Sequence, residues 1–220
     1  MIRALIFDFD GTILDTETPD HQAWRLEYAD HGVELPLELW TRTIGTNGSD
    51  IFEPHAFLEA RLGRTLDRAT LAARRRERLM ALIAAERPRS GVAAWMTGAR
   101  EAGMGLAVAS ASSRGWVETH LRGIALFDSF DHLACGNEVD RVKPAPDVYE
   151  LALGKLGLAP HEAIAIEDSM NGVAAAKAAG IFCVATPNRM TAGLDLSAAD
   201  IRVDSLAELP LADAIRAASR

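Results

Sequence analysis

The chain has 220 residues, 49% of them hydrophobic and 25% charged, with a formal net charge of −8, a balance that suits one or two domains with a full core. The acidic surplus argues against general attraction to nucleic acid or anionic lipid and leaves room only for a local cationic pocket. No apolar run approaches the roughly 20 residues of a membrane-spanning helix and no signal-peptide pattern opens the chain, so the expectation is a cytoplasmic protein that engages neither nucleic acid nor membrane.

Taken in order, Ala4–Phe7 reads as a strand covered on both faces. It stops at two carboxylates, Asp8 and Asp10, and then at Gly11, which lets the backbone turn sharply. While the backbone stays extended, residues two apart point the same way, so both carboxylates can approach one small volume. The pattern then turns helical over Glu17–His31, Leu37–Thr43, Asp50–Arg61 and Asp67–Ala85, with breaks at Gly45-Thr46-Asn47-Gly48 and near Gly63. From Pro88 onward helices and strands alternate. Helix Val92–Ala102 precedes strand Gly105–Ser110, helix Trp116–Arg122 precedes strand His132–Cys135, and helix Asp147–Leu156 precedes strand Ala163–Ile166. Helix Met170–Ala179, strand Ile181–Ala185 and an edge strand at Ile201–Val203 complete the pattern.

This alternation predicts an α/β fold: a doubly wound parallel sheet with a small all-α domain inserted after the first strand. The predicted boundaries are a core of residues 1–14 and 89–220 and a helical insertion, a candidate lid, of residues 15–88. In such sheets ligands bind beyond the C-terminal strand ends where strand order reverses. Asp8, Ser110 and Glu167-Asp168 all stand at such ends, so a central first strand would bring them to one crevice.

The residue types there suit phosphate chemistry. Paired carboxylates serve general acid/base work or hard divalent cations such as Mg²⁺, or they merely cap the next turn. Ser110, the backbone amides beside Ala111, and Lys143 in Val142-Lys143-Pro144-Ala145-Pro146 are ligands for an anionic oxygen, with the prolines expected to hold the lysine's loop extended. Cys135 and Cys183 lie in apolar segments without partner thiols or histidines and are expected to be buried and reduced.

In this order, Asp8-Phe9-Asp10-Gly11-Thr12, Ser110, Lys143 and Glu167-Asp168 resemble the haloacid dehalogenase superfamily, in particular its helical-cap branch of phosphatases and β-phosphoglucomutase-like enzymes, with a Rossmann-like core. The resemblance implies a Mg²⁺-dependent phosphatase acting on a small phosphorylated metabolite such as a sugar phosphate, with a monomer as the family's default. Asp8 would be the nucleophile and Asp10 the general acid and base. Asp8, the Asp10 main-chain carbonyl and Asp168 would hold the metal with Glu167 in or beside its shell. Thr12, Ser110, Ala111 and Lys143 would hold the phosphoryl group, and in the cap Arg76 and Asn47 would meet the substrate, with His21 and His55 as weaker specificity candidates.

Arg75 falls within the apolar stripe of Leu71, Leu79 and Leu82, and Arg76 at its edge, so one arginine of the Arg74-Arg75-Arg76 run is expected to need an anionic partner. The alternative activity is a phosphosugar mutase. Against it, Asp20 stands where the mutases carry a cap histidine, and the stretch Gly45–Ser49 lacks their arginine. A dehalogenase would lack Asp10, and a non-catalytic binding protein would be expected to have lost one of Asp8, Asp10, Lys143 or Asp168.

Overall fold

The computed structural model describes residues 1–41 and 52–220. The chain falls into two compact units, one of Met1–Leu14 with Arg87–Arg220 and one of Asp15–Glu86. The first unit contains a six-stranded sheet of β1 (Ala4–Phe7), β2 (Gly105–Ser110), β3 (His132–Cys135), β4 (Ala163–Glu167), β5 (Phe182–Ala185) and β6 (Ile201–Arg202), ordered β3-β2-β1-β4-β5-β6. Every neighbouring pair is parallel. Among the described residues, the second unit contains α1 (Glu17–Ala29), α2 (Leu37–Thr41), α3 (Pro54–Leu62) and α4 (Arg68–Ile83). The first contains α5 (Val92–Glu101), α6 (Arg114–Gly123), α7 (Asp147–Leu156), α8 (Met170–Ala178) and α9 (Leu211–Ala218). None of these helices is long and apolar enough to cross a membrane.

The two faces of the sheet differ in side-chain size. Ile6, Ala107, Ala109, Ala134, Ala165 and Ala185 share one face and pack with Tyr149 and Ala152 of α7 and Ala175 and Ala176 of α8. Small residues on both sides let these helices lie close to the strands. Because side chains alternate along a strand, Leu5 and Phe7 point to the opposite face, where Phe7 meets Phe130 edge-on at 6.2 Å. On α5, Trp95 donates its indole N–H to the Leu206 and Leu209 carbonyls at 3.1 and 2.9 Å, fastening the segment that leads to α9. At the β3 edge, Arg114 and Lys155 donate to the outward Leu133 carbonyl at 2.8 and 2.6 Å, and Glu138 pairs with both cations.

The strand expectations hold to within a residue or two, with four differences elsewhere. Helix α6 starts at Arg114 because the Ser113 hydroxyl accepts the Trp116 N–H, a cap that moves the start two residues earlier. Helix α3 starts at Pro54, whose lack of an N–H suits a first helical position, with Glu53 as the cap. Helix α9 was not predicted, although Leu211, Ala214, Ile215 and Ala218 follow a helical spacing. The Lys143 loop is turned rather than extended, since the Ala145 N–H reaches the Val142 carbonyl at 3.0 Å. Both cysteines are buried and free, and burial pushes the Cys135 thiol up to about 11.

In the second unit α1 packs against α4. Glu27 of α1 has no exposed surface and is held by Arg74, with Arg78 Nη1 at 3.0 Å. A carboxylate buried this deeply needs such company, because leaving it unpaired would cost several kcal/mol. Arg75 pairs with Asp20 and lies over the Trp24 ring at 5.0 Å. Arg75 thus has the anionic partner its place in the stripe called for. Two of the three neighbouring arginines are paired instead of one, and Arg76 alone of the run is exposed without an ion pair among the described residues.

The central strands carry the core, so Ile164→Ala in β4, fully buried beside β1, should lower unfolding free energy by about 2–5 kcal/mol. Urea denaturation with an unchanged slope would register it as a shifted midpoint.

Candidate active site

The sheet register assembles the site. Phe7 stands level with Val108 on one side and Ile166 on the other. One residue further on, Asp8 therefore lies between the strand ends that carry Ala109 and Glu167, with Ser110 and Asp168 following. The Asp8 N–H still donates to the Ile166 carbonyl at 2.9 Å, which holds the nucleophile candidate's backbone in the ladder. Beyond it the chain turns through Gly11, at φ +82°, where a β-carbon would collide with the Asp168 carboxylate and the Asn188 amide. Arg89 fixes that turn by donating to the Gly11, Thr186 and Pro187 carbonyls at 2.6, 2.7 and 2.7 Å.

Lys143 is buried at the centre. Its Nζ donates to Asp8 Oδ1 at 2.5 Å and to Glu167 Oε1 at 2.6 Å, so one ammonium joins the strand ends of β1 and β4. Glu167 is held on both oxygens: Tyr149 donates its hydroxyl to Oε1 at 2.7 Å and the Asp168 N–H meets Oε2 at 3.2 Å. Burial drives the Asp8 carboxyl up to about 7; Glu167 and Asp10 push the same way, while Lys143 pulls it down. The two acids raise Lys143 above the usual lysine range, despite its burial. Lys143 is therefore the fixed cation of the group and Asp8 the carboxyl short of positive charge.

Asp168 receives the Asn188 amide at 2.7 Å, the Thr191 hydroxyl at 3.4 Å and the Thr12 hydroxyl at 3.5 Å. Asp8, Glu167 and Asp168, all buried, each offer a carboxylate oxygen within 4.8 Å of the others. Three carboxyls gathered about one ammonium leave a surplus of negative charge among hard oxygen donors. That donor set fits a divalent cation of the Mg²⁺ type.

Asp10 faces a different set of donors. Ser112 donates its hydroxyl to Oδ2 at 2.6 Å, Ser110 approaches the same oxygen at 3.4 Å, and the Trp116 indole N–H reaches Oδ1 at 2.8 Å. Ser110 also accepts the Ser112 N–H at 3.0 Å.

Of the residues singled out in the sequence, the structure joins Asp8, Lys143, Glu167, Asp168 and Thr12 in one set of contacts and Asp10 and Ser110 in a second. Ala111 sits on the exposed turn that follows β2. Arg76 belongs to the second unit, where it is exposed, and Asn47 lies outside the described residues. Also in that unit, His21 is buried beside Trp40, with ring centroids 5.6 Å apart, and His55 bonds Glu53 and abuts Trp24.

Sequence reasoning passed over Tyr149, Arg89, Asn188, Thr191 and Trp116, and took Ser112 only as part of the stretch Ser110-Ala111-Ser112, a candidate phosphate ligand rather than a partner of Asp10. The polar run Thr186-Pro187-Asn188 straight after an apolar strand was a usable sign, since it marks a further strand end at the same rim. Tyr149 and Trp116 gave none, because an aromatic residue on a helix reads first as core.

The family model for haloacid dehalogenase-like hydrolases matches residues 2–180. The Bacillus subtilis protein named "Putative phosphatase YhcW" is 43% identical over 212 residues, covering 96% of each chain. Among solved structures, a CbbY variant from Rhodobacter sphaeroides in complex with xylulose-(1,5)bisphosphate has a TM-score of 0.71 at 35% identity, with 95% of this chain and 96% of that one covered. A "putative beta-phosphoglucomutase" from Thermotoga maritima has a TM-score of 0.82 at 26% identity, covering 98% and 99%.

Gly172, at the start of α8, leaves no room for a β-carbon, which would fall on the Glu167 carboxyl. Gly172→Ala should displace that carboxyl and with it Lys143, lowering kcat at least tenfold with an unchanged circular dichroism spectrum. Gly154→Ala, with nothing near its added methyl, should leave kcat unchanged in the same assay.

Proposed function

The chain belongs to the haloacid dehalogenase-like hydrolase family and is a phosphatase of it, and on that premise we propose a Mg²⁺-dependent hydrolysis of a small phosphomonoester, a sugar or metabolite phosphate, through an aspartyl-phosphate. The observation that carries this reading is the buried Asp8–Lys143–Glu167 group beside Asp168 at the strand ends. The sugar-phosphate class is supported by the xylulose bisphosphate bound to the CbbY relative.

In the first half-reaction an Asp8 carboxylate oxygen attacks phosphorus as the bond from phosphorus to the ester oxygen breaks, and that oxygen takes a proton from Asp10. In the second, a water oxygen attacks the same phosphorus, Asp10 receives the water's proton, and the bond from phosphorus to Asp8 breaks to regenerate the carboxylate. Lys143 holds Asp8 in position and lies beside the charge that gathers on the phosphoryl oxygens. Thr12, Ser110 and the amide of Ala111 are the proposed phosphoryl donors. Asp8, Asp168 and the Asp10 main-chain carbonyl would hold Mg²⁺, with Glu167, occupied on both oxygens, supporting them from behind. Once bound, the cation supplies positive charge that keeps Asp8 ionised and offsets the charge of the phosphate.

The helical unit, Asp15–Glu86, is proposed as a cap that excludes water during the first half-reaction, with Arg76 and Asn47 reading the substrate. Cytoplasmic placement and a monomeric state belong to the same proposal. A phosphosugar mutase is the second reading, favoured by the likeness to the Thermotoga protein. Asp20, in the position of the mutases' cap histidine, is instead engaged by Arg75.

Purified enzyme incubated with a panel of sugar and nucleotide monophosphates should release phosphate only with Mg²⁺, Asp8→Asn should abolish release, and Arg76→Ala should raise KM. Isomerisation of β-glucose 1-phosphate without release would favour the mutase. Asn188→Ala, which deprives Asp168 of its nearest donor, should raise the Mg²⁺ concentration for half-maximal activity about 10–100-fold, measured by magnesium titration at saturating substrate.

A further inference from the structure

We infer that Trp116 is a positioning residue for Asp10, its indole N–H and the Ser112 hydroxyl gripping one carboxylate oxygen each. The inference rests on the role proposed above for Asp10, but the contact itself is independent of it. An indole N–H can only donate, so it engages Oδ1, at 2.8 Å, through that oxygen's lone pair. With Ser112 on Oδ2 at 2.6 Å, the plane of the carboxyl group is defined by two donors from one short stretch, the turn after β2 and the first turn of α6.

The indole is itself braced. Its ring meets the His120 ring at 4.1 Å, edge to face, one helical turn further along α6. His120 in turn stacks on Phe9 at 6.4 Å, and Phe9 is the fully buried residue between Asp8 and Asp10. The chain of contacts closes on itself: the backbone that presents the acid also anchors the group that aims it. All of these residues belong to the first unit.

Orientation of this kind bears on the proton-transfer steps and not on substrate affinity. Trp116→Phe keeps the ring against His120 and deletes the N–H. It should lower kcat on an alkyl phosphate about tenfold, with KM within twofold and an unaltered melting temperature. The loss should be much smaller for p-nitrophenyl phosphate, whose leaving group needs no proton. Ser112→Ala, removing the shorter of the two serine contacts to Oδ2, should reproduce the selectivity. Because Asp10 also serves the second half-reaction, which both substrates share, the contrast is read from the single-turnover rate of leaving-group release; equal losses there, or no loss on either substrate, would overturn the inference.

The contact is also read without turnover. The chain has four tryptophans, so the indole N–H region of a proton–nitrogen correlation spectrum carries four peaks, and Trp116→Phe identifies its own by deletion. Asp10→Ala should shift that peak and leave the other three in place; a peak that stays put would sink the positioning role even in an active enzyme. If the wild type released phosphate from neither substrate, the functional reading would fail while this spectrum still decided the contact.

Discussion

One buried ammonium holds this active site together. Lys143 lies between Asp8 and Glu167, which close two adjacent strands in the middle of the sheet. Without the lysine, two carboxylates would face each other in a poorly hydrated space, and at least one would take up a proton. With it, both are held in place while the group as a whole stays short of positive charge. That shortfall suits a divalent cation, and the magnesium-dependent phosphate chemistry proposed above is built on it.

The parallel register makes this possible at low cost in chain length. Phe7, Val108 and Ile166 stand level, so every residue placed one or two steps beyond them emerges at the same rim. The strand after α8 contributes there as well, through Asn188 and Thr191 on Asp168. Beneath the rim, the alanine-rich face lets α7 come near enough for Tyr149 to reach Glu167. A larger side chain at Ala107 or Ala165 would push that helix outward and withdraw its hydroxyl from the site.

Much of this was legible in the sequence because it rests on local rules. Short apolar runs ending in acids declared the strands, and Gly32, Gly103, Gly157 and Gly180, all at positive φ, marked helix ends where left-handed backbone is needed. Asp8, Asp10, Lys143 and Asp168 were found because each lies at a strand end or in a distinctive proline-rich turn. Tyr149, Trp116 and Arg89 were missed for a common reason. Their partners lie 18 to 106 residues away, and nothing in the neighbouring sequence separates a helix aromatic that packs from one that also donates a hydrogen bond. The Arg74–Arg76 run was half legible: periodicity found the arginine facing inward, but Glu27, which holds the next one, lies 47 residues upstream.

The treatment of the β3 edge governs how this protein fares in a crowded solution. An outermost strand offers its outward carbonyls and amides to any extended segment that drifts past, and sheets grow from such edges into aggregates. Here the Leu133 carbonyl is already taken by two cations that Glu138 keeps in place, while the opposite edge, β6, is two residues long. An incoming strand would have to displace Arg114 and Lys155 before it could bond that carbonyl, and Glu138 before it could bond the Cys135 N–H. The sheet is thereby guarded against further strands at one end by charge and at the other by brevity.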